Sequence, residues 1–137
     1  MNMELPPDTV LVFGREDDLS VFTSFADAVN YLEAIDVAEG EYPAAYSPDG
    51  RVLALTAPDA WRGLVLLERT DATDLAGLRR RVARYWERYG PDATTHDPLE
   101  TARLFIEREN QPRTGWLKRL TGRFGRNGTG DEPARRR

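Results

Sequence analysis

Apolar and polar positions divide most of the chain into short strands and amphipathic helices. Thr9-Val10-Leu11-Val12-Phe13 is a β-branched, apolar run ended by Gly14 and predicts a first strand. Its nearly unbroken hydrophobicity suits a central position in a sheet. Arg15 to Asp18 is a polar turn, and Leu19 to Thr23 reads as a short strand or an extended lead-in, with Val21 and Phe22 inward. Ser24 then offers an N-cap, and Asp27 suits the first turn of a helix, where a carboxylate meets the positive end of the helix dipole. Phe25, Ala28, Val29, Leu32 and Ile35 recur at helical spacing and define one apolar face, opposite Asp27, Asn30, Glu33 and Ala34. Gly40 is placed to stop this helix.

A hairpin follows, with Ala44 to Ser47 and Arg51 to Thr56 flanking Pro48-Asp49-Gly50. In that turn Pro presets φ, Asp bonds its own backbone and Gly accepts a positive φ. Pro58 to Gly63 predicts a further turn and Leu64 to Glu68 a last strand. Thr73 or Asp74 caps a helix over 75–89 whose apolar stripe is Leu75, Leu78, Val82, Tyr85, Trp86 and Tyr89. Gly90-Pro91 ends it, and Asp92 to Thr95 reads as a loop. Asp97-Pro98-Leu99-Glu100 combines a cap, a proline at the first helical position and an early glutamate. The helix it starts runs to about Glu109, with Leu99, Ala102, Phe105 and Ile106 facing in.

The expected fold is therefore α+β, in the order β-(β)-α-β-β-β-α-α. A small, mainly antiparallel sheet has helices packed on one face, with the first two long helices covering it. The expected apolar anchors are Val10, Val12, Phe13, Val29, Leu32, Leu53, Leu55, Val65, Leu67, Leu78 and Val82. Residues 1–112 read as a single domain. Residues 113–137 read as a basic amphipathic segment, in which Trp116, Leu117, Leu120 and Phe124 interleave with Lys118, Arg119, Arg123 and Arg126, followed by a disordered tail.

Charge adds a second pattern. The net charge of −4 combines 15 acids against 4 arginines in residues 1–74 with 8 acids against 15 bases in residues 75–137. From Glu16 to Gly50 there are nine acids and no Lys or Arg. Such a division bears on partners and on electrostatic steering rather than on fold. Arg79, Arg80, Arg81, Arg84 and Arg88 load the polar faces of the 75–89 helix. A solvated face explains them better than nucleic-acid binding, since no nucleic-acid motif accompanies them. The chain contains no cysteine, which excludes disulfides and thiolate chemistry. No apolar run is long enough for a transmembrane helix, and the first residues lack the pattern of a secretory signal, so a cytoplasmic location is expected.

Candidate chemistry is sparse. His96 is the single histidine, and no nucleophile motif, Gly-rich phosphate loop or H-E-x-x-H sequence accompanies it. Asp36-x-x-Glu39-x-Glu41 lacks the alternating ligands and closing glutamate of a calcium loop. No catalytic residue, metal or cofactor is expected. Glu33, Asp36, Glu39 and Glu41 form either a solvated face or an acidic docking surface for a basic partner. Tyr42, Tyr46 and Trp61 are the aromatic anchors that would accompany docking.

The stretch Leu32-Glu33-Ala34-Ile35-Asp36-Val37-x-x-Gly40-Glu41-Tyr42, preceded by a strand and helix and followed by a hairpin with Asp49-Gly50-Arg51, resembles small immunity proteins of bacterial polymorphic toxin systems. The resemblance covers about residues 10–90. It implies a compact α+β domain that binds and neutralises a cognate protein toxin. Such families often present acids to a basic nuclease toxin, a role that would fall to Glu33, Asp36, Glu39 and Glu41. The Arg-rich second half departs from a uniformly acidic inhibitor. Two other functions compete with this expectation. One is a small hydrolase or transferase using scattered acids. The other is a regulatory module using the basic C-terminal segment, for which membrane-surface contact of Trp116 to Phe124 ranks last.

Overall fold

The computed structural model describes residues 4–90 and 95–109. The readings made for the loop after Gly90, for the basic amphipathic segment and for the tail lie outside the described residues, as does the end of the domain at residue 112.

Five strands form one antiparallel sheet: β1 (Val10–Phe13), β2 (Leu19–Phe22), β3 (Ala44–Tyr46), β4 (Arg51–Asp59) and β5 (Leu64–Thr73). Their spatial order is β2-β1-β3-β4-β5. The fold is α+β, as the hydrophobic pattern predicts, with β1 paired on both sides and fully buried. Two short helices, α1 (Phe25–Tyr31) and α2 (Ala34–Ala38), connect β2 to β3, and α3 (Leu75–Tyr89) and α4 (Pro98–Glu109) follow β5.

The helices cover both faces of the sheet, which corrects the one-face expectation. Alternation along β1 sends Val10 and Val12 to one side, where they pack with Ala28, Val29, Leu32 and Val37 of the α1–α2 layer. Leu11 and Phe13 point the other way, onto Leu78, Val82, Tyr85 and Trp86 of α3 and Phe105 of α4. A strand apolar at every position has no solvent face, so each side requires its own helical cover.

Both ends of α3 are fixed to turns of the sheet. At its start Asp74 caps Gly77 N–H at 3.0 Å, and the Asp74 N–H donates to the Gly50 carbonyl at 2.8 Å. Gly50 takes φ +100° in the β3–β4 turn, where a Cβ would also press on Leu75 at 3.0 Å. At its end the Tyr89 hydroxyl donates to the Glu16 carbonyl at 2.8 Å, in the β1–β2 turn. Trp86 Nε1–H donates to Thr101 Oγ1 at 3.0 Å and ties α4 to α3 within the core. Two residues read as inward are exposed here, Leu75 and Leu99. Each stands in the first turn of its helix, beyond the part that the sheet or the neighbouring helix covers.

The expected single helix from Phe25 is broken. Leu32 and Glu33 take extended backbone (ψ 136° and 135°), which separates α1 from α2. The break resets the helical phase. Ala34 and Asp36 become buried, and Ile35, expected inward, is 56% exposed. The reset lets α2 follow the β4–β5 hairpin, against which it packs.

That hairpin is longer than the sequence predicts. β3 pairs with β4 only at Val52 and Leu53, whereas β4 and β5 pair from Arg51 out to Asp59. The distal half, closed by a single 3-10 turn at Ala60–Arg62, therefore projects beyond β3. Pro58 is tolerated there because β4 has no neighbour on one side and its register with β5 shifts between Thr56 and Asp59.

Candidate functional site

α2 packs against both the projecting hairpin and its tip turn. The tip turn that meets α2 carries Trp61, which is 97% exposed. Ile35 adds exposed apolar area from α2. Glu33 and Glu39 bracket the helix, exposed, and neither forms an ion pair among the described residues. Two elements that pack together thus expose one aromatic and one aliphatic side chain, with two carboxylates about α2.

The other expected members of this surface are elsewhere. Asp36 is 9% exposed on the inner side of α2, because the break at Leu32-Glu33 rotates it inward. Glu41 is half-buried and engaged by Arg15, whose Nη2 donates to its Oε1 at 2.6 Å while the Arg15 N–H bonds the Glu41 carbonyl at 3.0 Å. This double contact clamps the β1–β2 turn to the end of the α2 loop and lowers the charge Glu41 offers to solvent. Tyr42 and Tyr46, read as surface anchors, are buried core residues on opposite faces of the sheet. Tyr46 meets Phe13 edge to face, with ring centroids 6.1 Å apart. Of the seven expected positions, Glu33, Glu39 and Trp61 are exposed, about α2 and on the turn that packs against it. Ile35 is exposed as well, a position the sequence hides because continuous helical periodicity assigns it to the core.

His96 is exposed ahead of α4. Among the described residues no group of three or more His, Asp or Glu side chains is arranged to hold a metal ion. No described helix is long and apolar enough to cross a membrane.

The helical layers on the two faces of the sheet differ in charge. The α1–α2 side carries Asp27, Glu33, Asp36, Glu39 and Glu41 and no base between Ser24 and Pro43. On the other side α3 exposes Arg79, Arg80 and Arg84. Arg81 lies over the Phe13 ring at 6.0 Å, and Arg88 is engaged with Glu16 and Asp17. Comparison with protein-family models, curated proteins and solved structures finds no match to this chain.

Proposed function

We propose that this chain is a non-enzymatic protein-binding domain of the immunity type, which blocks a cognate bacterial protein toxin through the α2 and hairpin-tip surface. The observation that carries this reading is Trp61, 97% exposed beside an acidic helix. An indole left in water at the tip of a hairpin contributes nothing to the core. Tryptophan is prominent among the residues that dominate binding energy at interfaces, and its contribution depends on being desolvated by a partner. Ile35 enlarges the apolar centre, and Glu33 and Glu39 supply a charged rim. Uncompensated carboxylates at a rim accelerate encounter with a basic surface more than they deepen affinity. Inhibition on this account is steric, since the hairpin and α2 would cover the partner's working surface without chemistry.

The test is co-expression with the product of the adjacent gene, followed by purification of the complex. A stoichiometric complex is expected, and Trp61→Ala should raise its dissociation constant about thirtyfold, the equivalent of ~2 kcal/mol for a central aromatic anchor. Absence of a complex, or a complex indifferent to Trp61→Ala, would contradict the reading.

A further inference from the structure

Ion pairing sharpens the difference in charge between the two helical layers. Three arginines lie against α1, the loop after α2 or the hairpin turn, and each is matched: Arg15 with Glu41, Arg62 with Asp59 and Arg69 with Asp8. Glu33 and Glu39, at the two ends of α2, form no ion pair among the described residues and keep their charge for solvent. Ile35 of α2 is 56% exposed, and the turn that packs on α2 exposes Trp61 almost completely. The α3 layer is the reverse. Arg79, Arg80 and Arg84 are exposed there and join no ion pair among the described residues. Unmatched negative charge about exposed apolar side chains thus belongs to α2, and unmatched positive charge to α3.

We propose that the segment Gly115 to Arg126 of the same chain docks on α2 and the hairpin turn packed against it. Residues 110–130 contain five bases and no acid. Within them Trp116, Leu117, Leu120 and Phe124 recur at helical spacing, interleaved with Lys118, Arg119, Arg123 and Arg126. An apolar stripe among cations complements exposed apolar side chains among unmatched carboxylates, and the arginines of α3 repel the same segment from the other layer. The length of chain agrees. α4 packs against the β2 rim and ends at Glu109, and α2 packs against β4. From β2 to β4 is three strand spacings, about 14 Å, and a packed layer stands about 10 Å from the sheet. The eleven residues that lead from Glu109 to Leu120 extend to ~36 Å, enough to round the rim. Such a tether holds the segment at an effective concentration on the order of millimolar, so weak docking suffices within one molecule and a tighter partner displaces it. Resting on the function proposed above, the segment then regulates that surface, since the toxin must displace it to bind.

Paramagnetic broadening in the full chain tests the docking. The chain has no cysteine, so Gly122→Cys carries a nitroxide at one position only, on the side of the segment away from its apolar stripe. The indole N–H signals of Trp61 and Trp86 are the readouts. Trp86 donates to Thr101 in the core on the other side of the sheet and serves as the reference. The signal of Trp61 should lose most of its intensity while that of Trp86 keeps most of it. The loss should be the same on dilution and absent when nitroxide-bearing chain is mixed with isotope-labelled chain that lacks the nitroxide. Leu120→Asp, Glu33→Lys with Glu39→Lys, and salt at about 1 M should each restore the Trp61 signal, and an unmoved Trp86 signal verifies that the variants fold. A Trp61 signal that keeps its intensity overturns the proposal. So does broadening that appears in the mixed sample, which would place the segment on a second copy, or broadening of Trp86 in preference to Trp61. The sample contains no partner, so failure of the toxin complex and failure of the docking are separate results.

Discussion

The hydroxyl of Tyr85 sits inside the α3–sheet core with no hydrogen-bond partner among the described residues, while its ring contacts Trp86, Tyr89 and Phe105. The ring is what the core uses, and the buried oxygen carries a desolvation cost without compensation. Burial also pushes the phenol well above the ordinary tyrosine range, with the opposing effect of Arg108 smaller. The folded state therefore keeps this proton when the unfolded chain gives it up. That contribution is complete below about pH 10 and is lost as the solution becomes more alkaline. Tyr85→Phe should stabilise the protein by ~1 kcal/mol at neutral pH and should flatten the alkaline fall in stability. Urea melts at neutral pH and above pH ~10 measure both effects. A less stable Tyr85→Phe would show that the hydroxyl has a partner and that the core is built differently.

Among the elements, α2 places charge against its own stability. It spans five residues, holds Glu39 at its C-terminal cap and has no base in its last turn. A carboxylate at that end faces the negative pole of the helix. Glu39→Lys should therefore stabilise the fold slightly, by ~0.3 kcal/mol in thermal melts at low salt, while weakening partner association. A destabilised variant would show that Glu39 is structural. The break that creates α2 explains most of what the sequence leaves illegible. Nothing in Tyr31-Leu32-Glu33-Ala34 is a glycine or proline, so periodicity runs straight through and assigns Ile35 to the core and Asp36 to the surface. Features with local chemistry are legible. The Pro48-Asp49-Gly50 turn, the Ser24 and Asp74 caps, the buried face of α3 from Leu78 to Tyr89 and the strand β1 all stand where residue type alone predicts them. The length of the β4–β5 hairpin is not legible, because Pro58 reads as a breaker unless β4 is known to lack a neighbour there. The same gap hides the surface itself. Trp61 is identifiable as a turn residue, but its proximity to α2 depends on a hairpin extended past β3. Tyr42 and Tyr46 mislead for the opposite reason, since an amphipathic ring suits a core as well as an interface.

At the scale of the molecule, the segment 24–43, which has acids and no base, lies on one side of the sheet, and α3 exposes Arg79, Arg80 and Arg84 on the other. A partner approaching this surface meets Glu33 and Glu39 about α2 and the exposed Arg62–Asp59 pair beside Trp61 at the hairpin tip. Charge of this kind acts on the rate of encounter and fades as salt screens it, over about 10 Å at 0.1 M. The most direct measurement is the association rate of the purified domain with the adjacent-gene product across a salt series, for the natural sequence and for Glu33→Lys with Glu39→Lys. The account predicts an association rate about tenfold slower for the doubly substituted domain at low salt, converging with the natural protein as salt rises, and little change in the dissociation rate. Equal association rates at low salt would contradict an acidic docking surface on α2.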